Sequence, residues 1–247
     1  MSAHREFPRW LALPYAAWAY ASFLILGLGV LVLIIPVPWQ SLRRRLVRGA
    51  ARLALWTCGM RVELLQAASL PDGPCVVVAN HGSYLDGVVL YAALPPTFGF
   101  VIKREMSRVP GANLLLRRIG SLYVDRGSGV KNKGDTRELL KRAHAGGALA
   151  FFPEGTFHHE PGLAPFRPGA FVVAARAQLP IVPIAIRGTR RGLPAGRVLP
   201  QPCRIQIEIA PPLPPPGSGG ADIAATVAAA RSAILARIPE PDLAAGG

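Results

Sequence analysis

The chain has 247 residues, of which 51% are hydrophobic and only 17% charged. That balance excludes a disordered chain and argues against an ordinary water-soluble domain, in which about a quarter of residues are charged. Twenty-eight basic against 14 acidic side chains leave a net charge of +14, which calls for an anionic partner: nucleic acid, a membrane surface or an acidic substrate.

No charged residue occurs between Arg9 and Arg43, and Tyr15 to Ile35 is almost wholly apolar. A helix of that length can cross a hydrocarbon core of ~30 Å. Trp10, Tyr15, Trp18 and Tyr20 at one end and Trp39 at the other occupy the places of interfacial aromatics. Arg43, Arg44, Arg45, Arg48 and Arg52 follow at once, so the positive-inside bias assigns the bulk of the chain to the cytoplasmic side of the inner membrane. The apolar run is too long for a signal peptide. Pro14, Pro36 and Pro38 leave a bent, re-entrant anchor open beside a full span. Arginines abutting this segment favour an anionic membrane surface over nucleic acid, for which no recognition motif is visible.

Leu42 to Leu65 has the apolar spacing of one helix lying on the membrane surface. Short runs rich in β-branched and aromatic residues then predict strands over Cys75–Ala79, Phe98–Ile102, Ser121–Val124, Ala148–Phe152, Ile181–Ile186 and Arg204–Ile209. Helices are predicted between them near Leu85–Ala93, Ala112–Ile119, Lys131–Ala145 and Ala170–Ala177. The alternation specifies an α/β fold: a mixed, largely parallel sheet flanked by helices, with an N-terminal membrane-anchoring helix. Three regions follow: an anchor with its basic surface helix (1–65), an α/β catalytic domain (66–215), and a Gly/Pro linker with a final helix over about Asp222–Ile238 (216–247).

Polar clusters fall just after three predicted strands: Asn80-His81-Gly82-Ser83-Tyr84-Leu85-Asp86, Asp125-Arg126, and Pro153-Glu154-Gly155-Thr156. Strand ends of an open α/β sheet converge on one crevice, where ligands bind. His81 and Asp86 are five residues apart, a spacing at which two side chains of a continuous helix cannot meet. They meet only if His81 lies on the turn and the helix begins later. Ser83 offers that start, with Asp86 completing a capping box; Asp86 is then either a helix cap or the partner that orients the imidazole. A His held by a carboxylate is suited to accept a proton. No nucleophile elbow is present, so the dyad suits activation of a substrate hydroxyl. Arg126 is the best candidate to grip a phosphate, with Lys103, Arg104 and Arg167 as helpers. Glu154 at a strand end suits a hydroxyl, and the turn at Gly155 an anion. The adjacent His158 and His159 lack metal-ligand spacing. The three widely spaced cysteines form neither a disulfide framework nor a zinc ribbon.

Taken together, Asn80-His81-x-x-x-x-Asp86, Tyr123-Val124-Asp125-Arg126, Phe152-Pro153-Glu154-Gly155-Thr156 and Val182-Pro183-Ile184 resemble, in order, four motifs of the membrane-bound glycerolipid acyltransferases of the 1-acylglycerol-3-phosphate acyltransferase type. Phe166-Arg167-Pro168-Gly169-Ala170 is similar to the basic segment that follows the third motif. The resemblance spans about residues 75–190. It implies transfer of an acyl group from acyl-CoA or acyl-carrier protein to a lysophospholipid hydroxyl, with His81 as general base and Asp86 orienting it. Arg126, Glu154 and Gly155, with Thr156 beside them, would hold the glycerol phosphate; no metal or cofactor is implied. The sequence departs from the pattern at Phe157-His158-His159, where many phosphatidate-forming relatives carry a basic residue and Ser. That puts the acceptor in question and raises a lyso-ornithine lipid as a second candidate. A thioester hydrolase using the same His-Asp pair on water is the remaining enzymatic reading.

Overall fold

The computed structural model describes residues 7–125, 133–156 and 159–244. Arg126, Phe157 and His158 lie outside the described residues.

Helix α1 runs from Arg9 to Ile34 and α2 from Gln40 to Thr57. They form an antiparallel hairpin. Tyr15 Oη donates to the Cys58 carbonyl at 2.7 Å and Trp18 Nε1 to the Thr57 carbonyl at 3.1 Å, at the open end. At the closed end Val30 and Ile34 pack with Val47 and Ile119. Among the described residues α1 is the one helix long and apolar enough to cross a membrane. Its outer face is bare: Trp10, Leu13, Leu24, Ile25 and Val32 are each more than half exposed.

The helix predicted over residues 42–65 divides in two. Gly59, at φ +66°, ends α2 with the paired bonds of a Schellman cap: Gly59 N–H to the Trp56 carbonyl and Met60 N–H to the Leu55 carbonyl, both 2.9 Å. Strand β1 (Arg61–Leu65) follows and pairs with β7 (Arg204–Ile209). The sheet therefore begins inside the region expected to be anchor.

The remaining strands are β2 (Val76–Ala79), β3 (Gly99–Lys103), β4 (Leu122–Val124), β5 (Leu149–Phe151) and β6 (Ile181–Arg187). Their order is β1-β7-β6-β2-β5-β3-β4; β6 and β7 are antiparallel and every other pair is parallel. This is the mixed, largely parallel sheet expected. Helices α3 (Asp86–Ala93), α4 (Pro110–Arg118), α5 (Lys133–His144), α6 (Gly169–Ala177), the short α7 (Thr189–Gly192) and α8 (Gly220–Leu235) complete the chain.

Strand side chains alternate between two buried layers. Val77, Ala79, Val182 and Ile184 face a core shared with Leu55, Leu90 and Leu94 of α2 and α3. Val76, Val78 and Ile181 face Leu139, Phe171 and Ile234 of α5, α6 and α8. Burial on both faces explains why the central strands read as unbroken apolar runs.

The arginines of α2 do not all serve the collar that their position after the apolar segment suggests: Arg45 and Arg52 are exposed, but Arg44, Arg48 and Arg52 bond to the protein's own carbonyls. Arg44 is buried and donates to the carbonyls of Ile119, Thr97 and Pro96 at 2.7, 3.0 and 3.3 Å. Arg48 reaches the carbonyls of Ala92 and Ala93, and Arg52 that of Ala92. Spaced four apart, these three lie on one stripe of α2. There they supply donors and positive charge to the carbonyl ends of α3 and α4.

Candidate active site

Parallel pairing of β2 with β5 sets Val78 opposite Phe151. Three residues further along each strand the register delivers His81 and Glu154 side by side. The His81 amide donates to Glu154 Oε1 at 2.6 Å. Asn80 fixes the exit from β2: its amide group donates to the Ile186 carbonyl at 2.9 Å and accepts from the Ile186 N–H at 2.7 Å. The side chain thus continues the sheet's bonding where the backbone turns away.

His81 Nδ1 lies 3.0 Å from Asp86 Oδ2. That oxygen also accepts from the backbone N–H groups of Gly82 and Ser83, at 2.7 and 2.8 Å. The Leu85 N–H in turn donates to Ser83 Oγ at 3.1 Å. The two readings of Asp86 are therefore one structure. The carboxylate that closes the turn before α3 is the carboxylate that holds the imidazole, and a single oxygen does both. Asp86 is fully buried, and its Oδ1 has no hydrogen-bond partner among the described residues. Ser83 is tied off as well, its hydroxyl donating to the Leu193 carbonyl at 2.6 Å, which removes it as a nucleophile.

Phe152 stacks on the His81 ring, with centroids 4.3 Å apart and planes 21° from parallel. This aromatic support was not singled out in the sequence, although it stands beside the Pro-Glu-Gly turn. With Nδ1 on the carboxylate and one face on Phe152, the ring is fixed in position and tautomer.

Glu154 departs from its expected role. Both carboxylate oxygens accept backbone N–H groups, Oε1 from His81 and Oε2 from Ala164 at 2.9 Å, and the residue is 6% exposed. It is a buried brace for the histidine loop and does not present its oxygens to an acceptor. Its pKa is pushed up to about 7, chiefly by burial and in smaller part by the nearby charges of Asp86 and Glu240, against the lowering effect of the two amide donors.

His81, Lys103, Gly155 and Thr156 line one cavity of about 560 Å³, walled otherwise by apolar side chains of α1 to α4 such as Phe23, Val30, Val88 and Leu116. Four of the predicted site residues are thus brought together. Lys103 Nζ lies 3.2 Å from Glu105 Oε1, both exposed. Arg167 lies across Gly155, close enough that a Cβ there would meet its Nε at 2.7 Å. Arg167 and Gly155 also line a second cavity of about 250 Å³ between β3, β5, α5 and α6. Asp86 and Glu154 stand behind these walls. Among the described residues no group of three His, Cys, Asp or Glu side chains is placed to hold a metal ion.

An acyltransferase family model matches residues 61–187. The 1-acyl-sn-glycerol-3-phosphate acyltransferase alpha of Bos taurus is 28% identical over 243 residues, covering 92% of this chain and 82% of its own. A 1-acyl-sn-glycerol-3-phosphate acyltransferase of Chlamydomonas reinhardtii is 32% identical over 243 residues, with 94% and 70% covered. A lyso-ornithine lipid O-acyltransferase of Pseudomonas aeruginosa is 32% identical over 179 residues, with 68% and 66% covered. The crystal structure of the 1-acyl-sn-glycerophosphate (LPA) acyltransferase of Thermotoga maritima shares the fold, with a TM-score of 0.75 at 21% identity over 91% of this chain and 95% of that one.

Proposed function

The chain belongs to the acyltransferase family and is an O-acyltransferase, and on that premise we propose that it acylates the free hydroxyl of a lysophospholipid. The preferred acceptor is 1-acyl-sn-glycerol 3-phosphate, giving phosphatidate, and the donor is the thioester of acyl-CoA or acyl-carrier protein. The observation that carries this reading is His81, held from behind by Asp86, in the wall of a largely apolar cavity. A proton acceptor beside a space suited to a hydrocarbon chain is what transfer between lipids requires.

Asp86 and Phe152 hold the ring so that Nε2 takes the proton of the acceptor hydroxyl. The oxygen adds to the thioester carbonyl, the C–S bond breaks, and the proton passes to the departing thiolate. No acyl-enzyme forms. Backbone N–H groups would stabilise the oxyanion. Lys103 and Arg167, with Arg126, are the groups proposed to meet the acceptor's phosphate.

The bare face of α1 supports attachment to a membrane, proposed as the cytoplasmic face of the inner membrane. One side of α1 is docked on the body that carries the site, through Ala19 near the middle of the helix and Ile34 at its C-terminal end. A helix held in this way lies along that body, so α1 rests within one leaflet, its outer face in lipid.

The decisive measurement is an acceptor panel of lysophosphatidate, glycerol 3-phosphate and lyso-ornithine lipid, offered with labelled acyl-CoA or acyl-carrier protein and read by product mass. Phosphatidate as the main product supports the reading. An acylated ornithine lipid would reassign the acceptor, as one relative's identity and the His158-His159 departure would then explain. Free fatty acid formed without acceptor dependence would replace transfer by hydrolysis.

A further inference from the structure

Glu154 is held on one side by His81 and on the other by the Ala164 amide, so the loop carrying Ala164 helps fix the histidine. That loop is gripped by a segment beyond α8. The Leu163 N–H donates to the Pro241 carbonyl at 2.9 Å, and the Leu243 N–H to the Leu163 carbonyl at 3.1 Å. Gly162 N–H donates to Glu240 Oε2 at 3.0 Å. The Leu243 side chain packs where any Cβ on Gly162 would stand. Arg231 of α8 completes the clamp, donating to the Leu163 carbonyl at 2.6 Å and to both carboxylate oxygens of Asp242.

The same segment reaches the histidine loop from its other flank. Glu240 accepts from Arg190 Nε and Nη2 at 3.0 and 3.1 Å, a two-pronged geometry that fixes the guanidinium. That guanidinium covers Gly82, where a Cβ would meet Arg190 Nη2 at 2.9 Å. One carboxylate thus ties together the loop that braces Glu154 and the arginine lying on the residue next to His81.

We propose that Glu240, through Arg190 and the Gly162–Ala164 backbone, is a positioning residue for His81, and that residues 240–243 are a strap that sets the catalytic geometry. The proposal deepens the acyltransfer reading and rests on it for its kinetic arm. Neither Arg190 nor residues 240–243 line either of the two cavities described. Their effect passes through Glu154 and Gly82, and a displacement of about 1 Å at a reacting group costs up to ~100-fold in rate.

The full-length protein in detergent carries the test. Glu240→Ala and Arg190→Ala, assayed well below their melting temperatures, are expected to lose roughly 10- to 100-fold in kcat. KM for the thioester donor stays close to wild type. The double variant loses no more than either single variant, because the two act as one unit. Glu240→Gln, which retains an acceptor oxygen at the same place, recovers part of the loss. An unchanged kcat per folded molecule, with only a lower melting temperature, overturns the proposal and leaves the strap as a stabilising contact. Additive losses overturn it too.

Should the wild type acylate none of the acceptors tried, modification of His81 by diethyl pyrocarbonate, mapped by mass spectrometry, replaces the kinetic arm. A several-fold change in that rate in Glu240→Ala, with His144 unaffected, supports the strap even where the substrate assignment has failed. Identical rates at His81 refute it.

Discussion

A single oxygen of Asp86 accepts from His81 and from two backbone N–H groups, so its chemistry and its structural part separate only by choosing the substitution. Asp86→Asn keeps an acceptor oxygen in place and should cost about 1 kcal/mol in stability, the usual scale of a lost helix-cap contact. It removes the charge that stabilises the imidazolium, and turnover should fall far more than the melting temperature does. His81→Ala should lower kcat by ~10²–10⁴ while the protein stays folded; assays beside thermal melts check both variants. Glu154 titrates against stability. Its folded pKa of about 7 lies above its ordinary 4.5, so the folded state holds the proton more tightly than the unfolded chain does. Stability therefore falls as pH rises between those values, by up to about 3 kcal/mol. Denaturant melts across that window should show the slope in the wild type and a flatter line in Glu154→Gln. At this scale the sequence was informative: the His81–Asp86 contact was one of two readings left open by their spacing and the turn signal at Ser83, and the helix begins late enough, at Asp86, for it to form. The burial of Glu154 did not, because a carboxylate after a strand looks the same whether its oxygens meet a ligand or two amides supplied by distant segments.

Among the elements, α2 combines two tasks that its composition conceals. Its apolar face packs on α1 and α3, while Arg44, Arg48 and Arg52 terminate two other helices. A run of arginines after an apolar segment reads as a membrane collar, since their carbonyl partners lie forty to seventy-six positions away and leave no local trace. Replacing the buried Arg44 by Met strips the Ile119, Thr97 and Pro96 carbonyls of their donor. The loss should be roughly 3 kcal/mol or more, seen as a drop in melting temperature, with catalysis retained in what remains folded. The central strands were readable because they are apolar on both faces. Strand β1 was not: Arg61-Val-Glu-Leu-Leu is half-exposed at the sheet's edge, and its apolar spacing continues the helical pattern of α2 although Gly59 has already broken the chain's direction.

For the molecule as a whole, the uncharged N-terminal run pointed to a lipid-facing surface, the strand-helix alternation to the fold and the motif order to the family. What remained hidden was how that surface and the fold are joined. A single span would leave one end of α1 on the far side of the bilayer; the arrangement proposed above, with α1 lying along the body within one leaflet, keeps both ends on the same side. Single cysteines placed at Ala12 and at Pro38, in a chain whose three buried cysteines are changed to Ser, should both react with an impermeant maleimide from the same side of sealed inverted vesicles. Reaction from opposite sides would restore the span.

The guanidinium groups of α2 that close off α3 and α4 carry a practical corollary for anyone seeking a soluble fragment. Cutting the chain after Gly59 would not liberate an autonomous enzyme. It would bare Leu90 and Leu94, abandon the carbonyls of Ala92, Thr97 and Ile119 without donors, and remove a wall of the chamber beside His81. Purification strategies have to keep the oily hairpin and solubilise around it.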